Sequence, residues 1–146
     1  MEVNEIQIGG DHYRKKYQHW DFVCDTEMPY LLGCATKYVA RHQDKNGIED
    51  LQKAIHYLSK AEDRGIYMPR NKWYEFITFD TTYARIDKAT RAFCSQLGEA
   101  ERHIIVMIVN DEYQAACDLI AELIDDTVFG EPGAGYTNQD PDWFRG

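Results

Sequence analysis

The chain has few cysteines and lacks the spacings with which cysteines bind structural metals. Its four cysteines, Cys24, Cys34, Cys94 and Cys117, form neither a CxxC pair nor a Cys/His cluster, whereas structural zinc sites place their ligands in close pairs. The N-terminal residues are acidic and lack the apolar segment of a secretory signal. No stretch approaches the roughly 18 apolar residues of a membrane span. These absences predict free thiols in a reducing cytoplasm and no membrane partner.

The chain also lacks a phosphate-binding P-loop and an excess of positive charge. No GxxxxGK[ST] motif occurs, which excludes a P-loop kinase. The chain has 16 Lys+Arg and 25 Asp+Glu, and its formal net charge of −9 disfavours duplex DNA as a partner. Residues 1–72 carry 11 basic and 11 acidic side chains, whereas residues 73–146 carry 5 and 14. An anionic ligand is therefore expected in the first half.

What the sequence does contain favours a mostly α fold with a real core. Apolar residues make up 44% of the 146 residues, and 10 Tyr, 6 Phe and 3 Trp argue against disorder. Apolar side chains recur at three- and four-residue spacing over about 28–43 and again over about 48–64. The segment Asp44-Lys45-Asn46-Gly47 between them has turn chemistry. A helical hairpin is the prediction for this region.

The remaining segments are predicted to add helices in a second region. A short helical turn is expected over 19–25, a packed connector over 66–78 and a helix over 82–97. The run Ile104–Val109 is β-branched and fits a strand or a short buried helix, of which the helix is favoured. An amphipathic helix follows Asn110-Asp111. We therefore predict three segments: a hairpin domain with an N-terminal arm (1–65), a helical C-terminal subdomain (66–129) and a flexible acidic and aromatic tail (130–146).

Basic side chains of the predicted hairpin are the first candidate site. Lys37 and Arg41 are four residues apart and project from one side of their helix. On the next helix Asp50, Lys53 and Tyr57 share a face. A hairpin brings Lys37, Arg41 and Lys53 towards one cleft, which suits a phosphate group. The alternative is that Lys37 and Arg41 pair with Asp50, and Lys53 with Glu49, as ordinary ion pairs.

Two further segments are weaker candidates. Gly9-Gly10 precede His12 and three basic residues, and such a segment can bind an anion or be a basic arm alone. An acidic stripe is predicted along the last helix, where carboxylates can hold Mg²⁺ as in MazG-like nucleotide pyrophosphatases or form a solvated face. The EExxE element of those enzymes is absent, so a solvated face is favoured. The stripe consists of Asp111, Asp118, Glu122 and Asp125.

The block from Gly9 to about Asp63 resembles a small bacteriophage protein family, largely of unknown function, that includes the P-loop-less nucleotide kinase of podoviruses. The resemblance rests on His12-Tyr13, Trp20-Asp21-Phe22, the K-Y-x-x-R motif that ends at Arg41, the K-N-G-x-x-D-L-x-K-A motif from Lys45 to Ala54, and Tyr57-Leu58. It implies a site made of shared polar residues, with His12 and Asp50 in catalysis. The residues implied to bind substrate or phosphate are Tyr13, Lys37, Tyr38, Arg41, Lys45 and Lys53.

The function implied by this resemblance is nucleotide binding in the cytoplasm of the host cell, with deoxynucleoside monophosphate kinase as the specific activity. ATP or another nucleotide is the expected phosphate donor, Mg²⁺ is a candidate cofactor, and no protein metal site is assigned. Because two helices cannot enclose a nucleotide, a homo-oligomer is expected. The alternatives are a phage accessory protein that sequesters a nucleotide signal, one that inhibits a host protein through its acidic half, and a MazG-like pyrophosphatase.

Overall fold

The computed structural model describes residues 16–69 and 79–130, and within these ranges the chain forms six α-helices. No strand occurs within those two ranges, so the prediction of a mostly α fold is confirmed. The helices, in chain order, are α1 (His19–Thr26), α2 (Tyr30–Arg41), α3 (Ile48–Asp63), α4 (Phe79–Cys94), α5 (Glu99–Val109) and α6 (Tyr113–Gly130).

Helices α2 and α3 form the predicted hairpin, and their ends lie within two residues of the expected ones. Pro29 immediately precedes α2, a position where its missing N–H costs nothing. Between the helices the chain turns at Gly47, whose φ of 57° and ψ of −122° are accessible mainly to glycine. The hairpin therefore places the outward faces of α2 and α3 side by side.

A single buried apolar core draws side chains from all six helices. Within it Phe22 of α1 stacks on Phe93 of α4, with ring centroids 4.7 Å apart. Tyr113 of α6 donates a hydrogen bond of 2.7 Å to the backbone carbonyl of Ile66, just beyond α3. The hairpin is thus packed against the later helices rather than standing alone.

The β-branched run in the second half is helical, as favoured. Ile104, Ile105 and Ile108 of α5 are completely or almost completely buried, whereas Val106 is exposed. Helical spacing explains this pattern, because a strand would have alternated the buried and exposed positions. Burial between α4, α6 and the hairpin therefore determines the structure of this run.

Several boundaries differ from the expected ones. Helix α4 spans Phe79–Cys94 rather than 82–97, and α1 is a helix of eight residues rather than one turn. Asp111 precedes α6 with a φ of 61°, so it is not part of the stripe along that helix. The N-terminal arm up to Lys15, most of the connector and the tail beyond Gly130 lie outside the described residues. Within the described ranges, no helix is long and apolar enough to cross a membrane.

Candidate functional site

Aromatic and charged side chains meet on the outward face of the α2–α3 hairpin. On α2 they are spaced by four, four and three residues, and on α3 by four, so each set shares one side of its helix. We call this surface the aromatic–cationic face. It consists of Tyr30, Cys34, Tyr38 and Arg41 from α2 and of Lys53 and Tyr57 from α3, and Asp50 of α3 is buried beneath it.

A completely buried carboxylate holds the guanidinium of this face. Arg41 donates from Nη2 to Oδ1 of Asp50 over 3.3 Å, and the other carboxylate oxygen accepts the backbone N–H of Asn46 over 3.2 Å. About a fifth of the Arg41 side chain remains exposed. Asp50 therefore fixes both the arginine and the turn, and its burial excludes direct contact with a ligand at the surface.

Both cations of the face lie over one tyrosine ring. The guanidinium carbon of Arg41 is 4.8 Å from the Tyr38 ring centroid, and Nζ of Lys53 is 5.5 Å from it, which are distances typical of cation–π contacts. Tyr57 stacks beside Tyr38 with centroids 5.6 Å apart. Lys53 also pairs with Glu49 over 3.6 Å. Arg41 and Lys53 therefore both lie next to a pair of stacked rings, and each is paired with a carboxylate of α3.

The N-terminal end of the face carries an exposed ring. Three quarters of Tyr30 is accessible to solvent. A hydrogen bond with Cys34 is the main reason why the pKa of Tyr30 is raised, and the electrostatic interaction with Cys34 is the main reason why the pKa of Tyr57 is raised. The Cys34 side chain is half-buried.

The predicted basic residues of the hairpin do not all meet. Lys37 is exposed and acts electrostatically on His19 of α1, where burial and then the Lys37 charge lower the pKa of the imidazole to about 4. Within the described residues Lys37 forms no ion pair with Asp50, unlike Arg41. Lys45 lies exposed in the turn between the helices. His12 and Tyr13 lie outside the described residues. The structure therefore brings together Tyr38, Arg41, Asp50 and Lys53.

Sequence reasoning missed a buried contact between a histidine and a carboxylate next to Arg41. Nε2 of His42 lies 2.8 Å from Oε1 of Glu101 in α5, and both side chains are more than nine-tenths buried. Gln43 donates to the same oxygen over 3.2 Å. No local pattern could have revealed this pair, because 59 residues separate its members. Tyr30 was also missed, although its spacing of four from Cys34 and eight from Tyr38 was a usable signal.

The acidic residues of the second half are not assembled into a metal site. Asp111 accepts a hydrogen bond of 3.0 Å from the Met68 backbone N–H, shares the hydroxyl hydrogen of Tyr113 with the Ile66 carbonyl, and so has a structural role. Asp118 accepts one from Gln114 within α6. In the part of the chain that the structure describes, no group of three His, Cys, Asp or Glu side chains is placed to hold a metal ion.

Two open grooves flank α5. The groove between α5 and α6 has a volume of about 260 Å³ and is lined by acidic side chains that include Glu99, Glu122 and Asp126. The groove between α4 and α5 is larger, about 430 Å³, and carries Arg91 and Arg102. Neither includes a residue of the aromatic–cationic face.

The fold and the face define an α-helical domain with an exposed surface of tyrosines and cations, backed by a buried carboxylate. Residues 9–59, about a third of the chain, match the family described as a protein of unknown function (DUF3310). The matched range includes all the residues of the aromatic–cationic face. No curated protein and no solved structure shows a significant match to the chain.

Proposed function

We propose that the protein binds a nucleotide on the aromatic–cationic face, as the resemblance to the phage family implies. The observation that carries the proposal is the position of the Arg41 guanidinium, held by Asp50 against the Tyr38 ring. A nucleotide combines a flat aromatic base with an anionic phosphate. The face offers a complementary pair of features within a few ångströms: tyrosine rings and two cations.

Each part of the ligand has a partner on the face. The exposed Tyr30 ring and the neighbouring Tyr57 provide surface on which a base stacks, an interaction worth about 1–3 kcal/mol per base. Arg41 provides planar N–H donors for phosphate oxygens, and Lys53 a mobile point charge. Lys37 and Lys45 are exposed on the same stretch of the chain and add positive charge to it. The net charge of the whole protein does not oppose this binding, because the excess acid belongs to residues 73–146.

Phosphoryl transfer to a deoxynucleoside monophosphate is the specific activity that we propose for this site. An oxygen of the monophosphate would form a bond to the γ-phosphorus of ATP, and the bond from that phosphorus to the bridging oxygen would break to release ADP. Such transfer depends mainly on positioning and on neutralising phosphate charge, which Arg41 and Lys53 supply. Because the face is open, a second copy of the chain would have to exclude water, so the proposal includes a homo-oligomer.

The binding test compares two double variants with the same change of charge. In Arg41→Ala/Lys53→Ala, affinity for deoxynucleoside monophosphates measured by calorimetry should fall roughly 10- to 100-fold, since a hydrogen bond to a charged group contributes about 1.5–3 kcal/mol. The control, Lys60→Ala/Arg91→Ala, removes an exposed lysine from α3 and an exposed arginine from α4 and should bind like the unmodified protein.

Circular dichroism establishes that both double variants are folded before affinities are compared. Tyr30→Ala is a third variant, chosen because its ring is mostly exposed and its loss leaves the core intact. It should weaken binding of a nucleotide but not of inorganic phosphate. Equal affinity in all the variants and the unmodified protein would refute the proposed site.

A turnover assay distinguishes a kinase activity from sequestration of a nucleotide. The protein is incubated with each deoxynucleoside monophosphate and Mg·ATP, and the diphosphate is sought by chromatography. Diphosphate formation that disappears in Arg41→Ala/Lys53→Ala supports the kinase. Stoichiometric binding without diphosphate supports sequestration of a nucleotide signal. Release of pyrophosphate from a triphosphate would instead support the pyrophosphatase, and the variant Glu122→Gln would then have to abolish it.

A further inference from the structure

We infer that Glu101, outside the matched family domain, is a positioning residue for the aromatic–cationic face, acting through His42 on Arg41; this inference rests on the proposed function. Glu101 belongs to α5, and its carboxylate reaches across to the end of α2. The second half of the chain would thus complete a site whose ligand contacts all lie in the first half.

Glu101 is bound to the two residues that directly follow Arg41. One carboxylate oxygen, Oε1, lies 2.8 Å from Nε2 of His42 and accepts a hydrogen bond of 3.2 Å from Gln43. Glu101 and His42 are each only 6% exposed. A buried carboxylate with two donors makes strong demands on the position of both partners, because leaving either unpaired is costly. The end of α2 is therefore attached to α5 at this point.

The backbone carries this attachment directly to Arg41. The carbonyl of His42 accepts the N–H of Gly47 over 2.8 Å, and the carbonyl of Arg41 accepts those of Asp44 and Lys45. Asp50 then closes the turn by accepting the Asn46 N–H. Arg41 is thus fixed on its side-chain end by Asp50 and on its backbone end by the turn that Glu101 anchors. Removing Glu101 frees the backbone end only.

The position of Glu101 itself depends on Gly98, the residue before α5. A Cβ placed on Gly98 would lie 2.7 Å from Oε2 of Glu101, closer than such atoms approach in proteins. The substitution Gly98→Ala therefore requires the Oε2 end of the Glu101 side chain to shift but does not remove the carboxylate. Glycine at this position allows the carboxylate to turn towards α2, and Gly98→Ala provides a second, independent way to perturb the contact.

The test is a double-mutant cycle on nucleotide affinity. Glu101→Ala should lower affinity for the deoxynucleoside monophosphate about three- to tenfold, and Gly98→Ala should lower it in the same direction. Glu101→Gln, which keeps an Oε1 acceptor for His42 and Gln43, should restore most of the affinity. In an Arg41→Ala background, Glu101→Ala should have no further effect, because coupled residues are not additive. Glu99→Ala, an exposed acidic neighbour on α5, is the matched control and should bind normally.

Thermal unfolding and the NMR signal of the Arg41 side chain separate this inference from the proposed function. A purely structural Glu101 would lower the melting temperature and leave affinity below that temperature unchanged, which would overturn the inference. If the unmodified protein bound no nucleotide, the proposed function would fail. The NMR signal would then decide the inference alone: a shift of the Arg41 Nε–H resonance in Glu101→Ala but not in Glu99→Ala supports positioning, and an unchanged resonance refutes it.

Discussion

Helices α3 and α6 both expose acidic side chains, but they place their carboxylates in different ways. Asp50 of α3 is completely buried and joins α2, the turn and α3 through Arg41 and Asn46. Asp118 of α6 is exposed, and its contact is with Gln114 on the same helix. A carboxylate that connects elements organises a surface, whereas one that contacts its own helix contributes charge. The candidate site therefore lies where a carboxylate connects elements of the fold, not where acidic residues are most numerous.

The largest difference between the two helices should appear in stability. Asp50→Ala should lower the free energy of unfolding by about 4 kcal/mol, since breaking a buried ion pair leaves its partner uncompensated. Asp118→Ala should change it by less than about 0.5 kcal/mol, as is usual for exposed positions. Urea unfolding followed by circular dichroism measures both. Equal effects of the two substitutions would contradict the comparison.

The two cations of α2 differ in the same way: Arg41 pairs with the buried Asp50, whereas Lys37 is exposed. Lys37 acts on His19, whose pKa is lowered from 6.5 to about 4, mainly by burial. The folded state binds the His19 proton less readily than the unfolded state does. The contribution of His19 to the free energy of unfolding is therefore fully present above pH 6.5 and is lost as the pH falls towards 4. The loss is at most about 3 kcal/mol. NMR titration should show a neutral His19 at pH 5.5, and Lys37→Ala should raise its pKa slightly.

His56, which is exposed on α3, is the matched control for this titration. The variant His19→Gln should make unfolding less dependent on pH between 6.5 and 4, whereas His56→Gln should leave that dependence as it is. A His19 that titrates near its ordinary pKa would show that α1 does not bury the imidazole as described.

Asp111 is the carboxylate of the second half that does connect elements, so it should behave more like Asp50 than like Asp118. Asp111→Ala removes the acceptor of the Met68 N–H and the Tyr113 hydroxyl and places alanine at a φ of 61°. The expected loss is about 2 kcal/mol, from two hydrogen bonds and left-handed strain. Asp111→Gly removes the same acceptor but avoids the strain, so it should lower stability less than Asp111→Ala. An Asp111→Ala variant as stable as the unmodified protein would contradict a connecting role.

The smallest effect is expected for two ion pairs within single helices. Lys53 with Glu49 and Arg91 with Asp87 are both spaced by four residues. Lys53→Ala and Arg91→Ala should each change stability by about 0.3 kcal/mol. Nucleotide affinity should distinguish them, because Lys53 lies over the Tyr38 ring and Arg91 does not belong to the face. Equal affinity of both variants would remove Lys53 from the site.

Much of the hairpin was predictable, because local pattern determines it. The ends of α2 and α3 follow from apolar spacing and from the turn at Asp44–Gly47. The contact of Arg41 with Asp50 was one of the two interpretations that spacing allowed. The position of Lys37 was not predictable, since it depends on how α1 packs. The contact of His42 with Glu101 was not predictable either, because no short-range pattern connects residues 59 apart in the chain.

The stacking of Phe22 on Phe93 has a consequence for the order of folding. These rings join α1 to α4 across 71 residues of chain, whereas the hairpin closes over a turn of a few residues. Local contacts form early, and closing a long loop costs more conformational entropy. The α2–α3 hairpin should therefore be structured before α1 docks. Pulse-labelling hydrogen exchange during refolding should accordingly protect the backbone amides of α3 before those of α1.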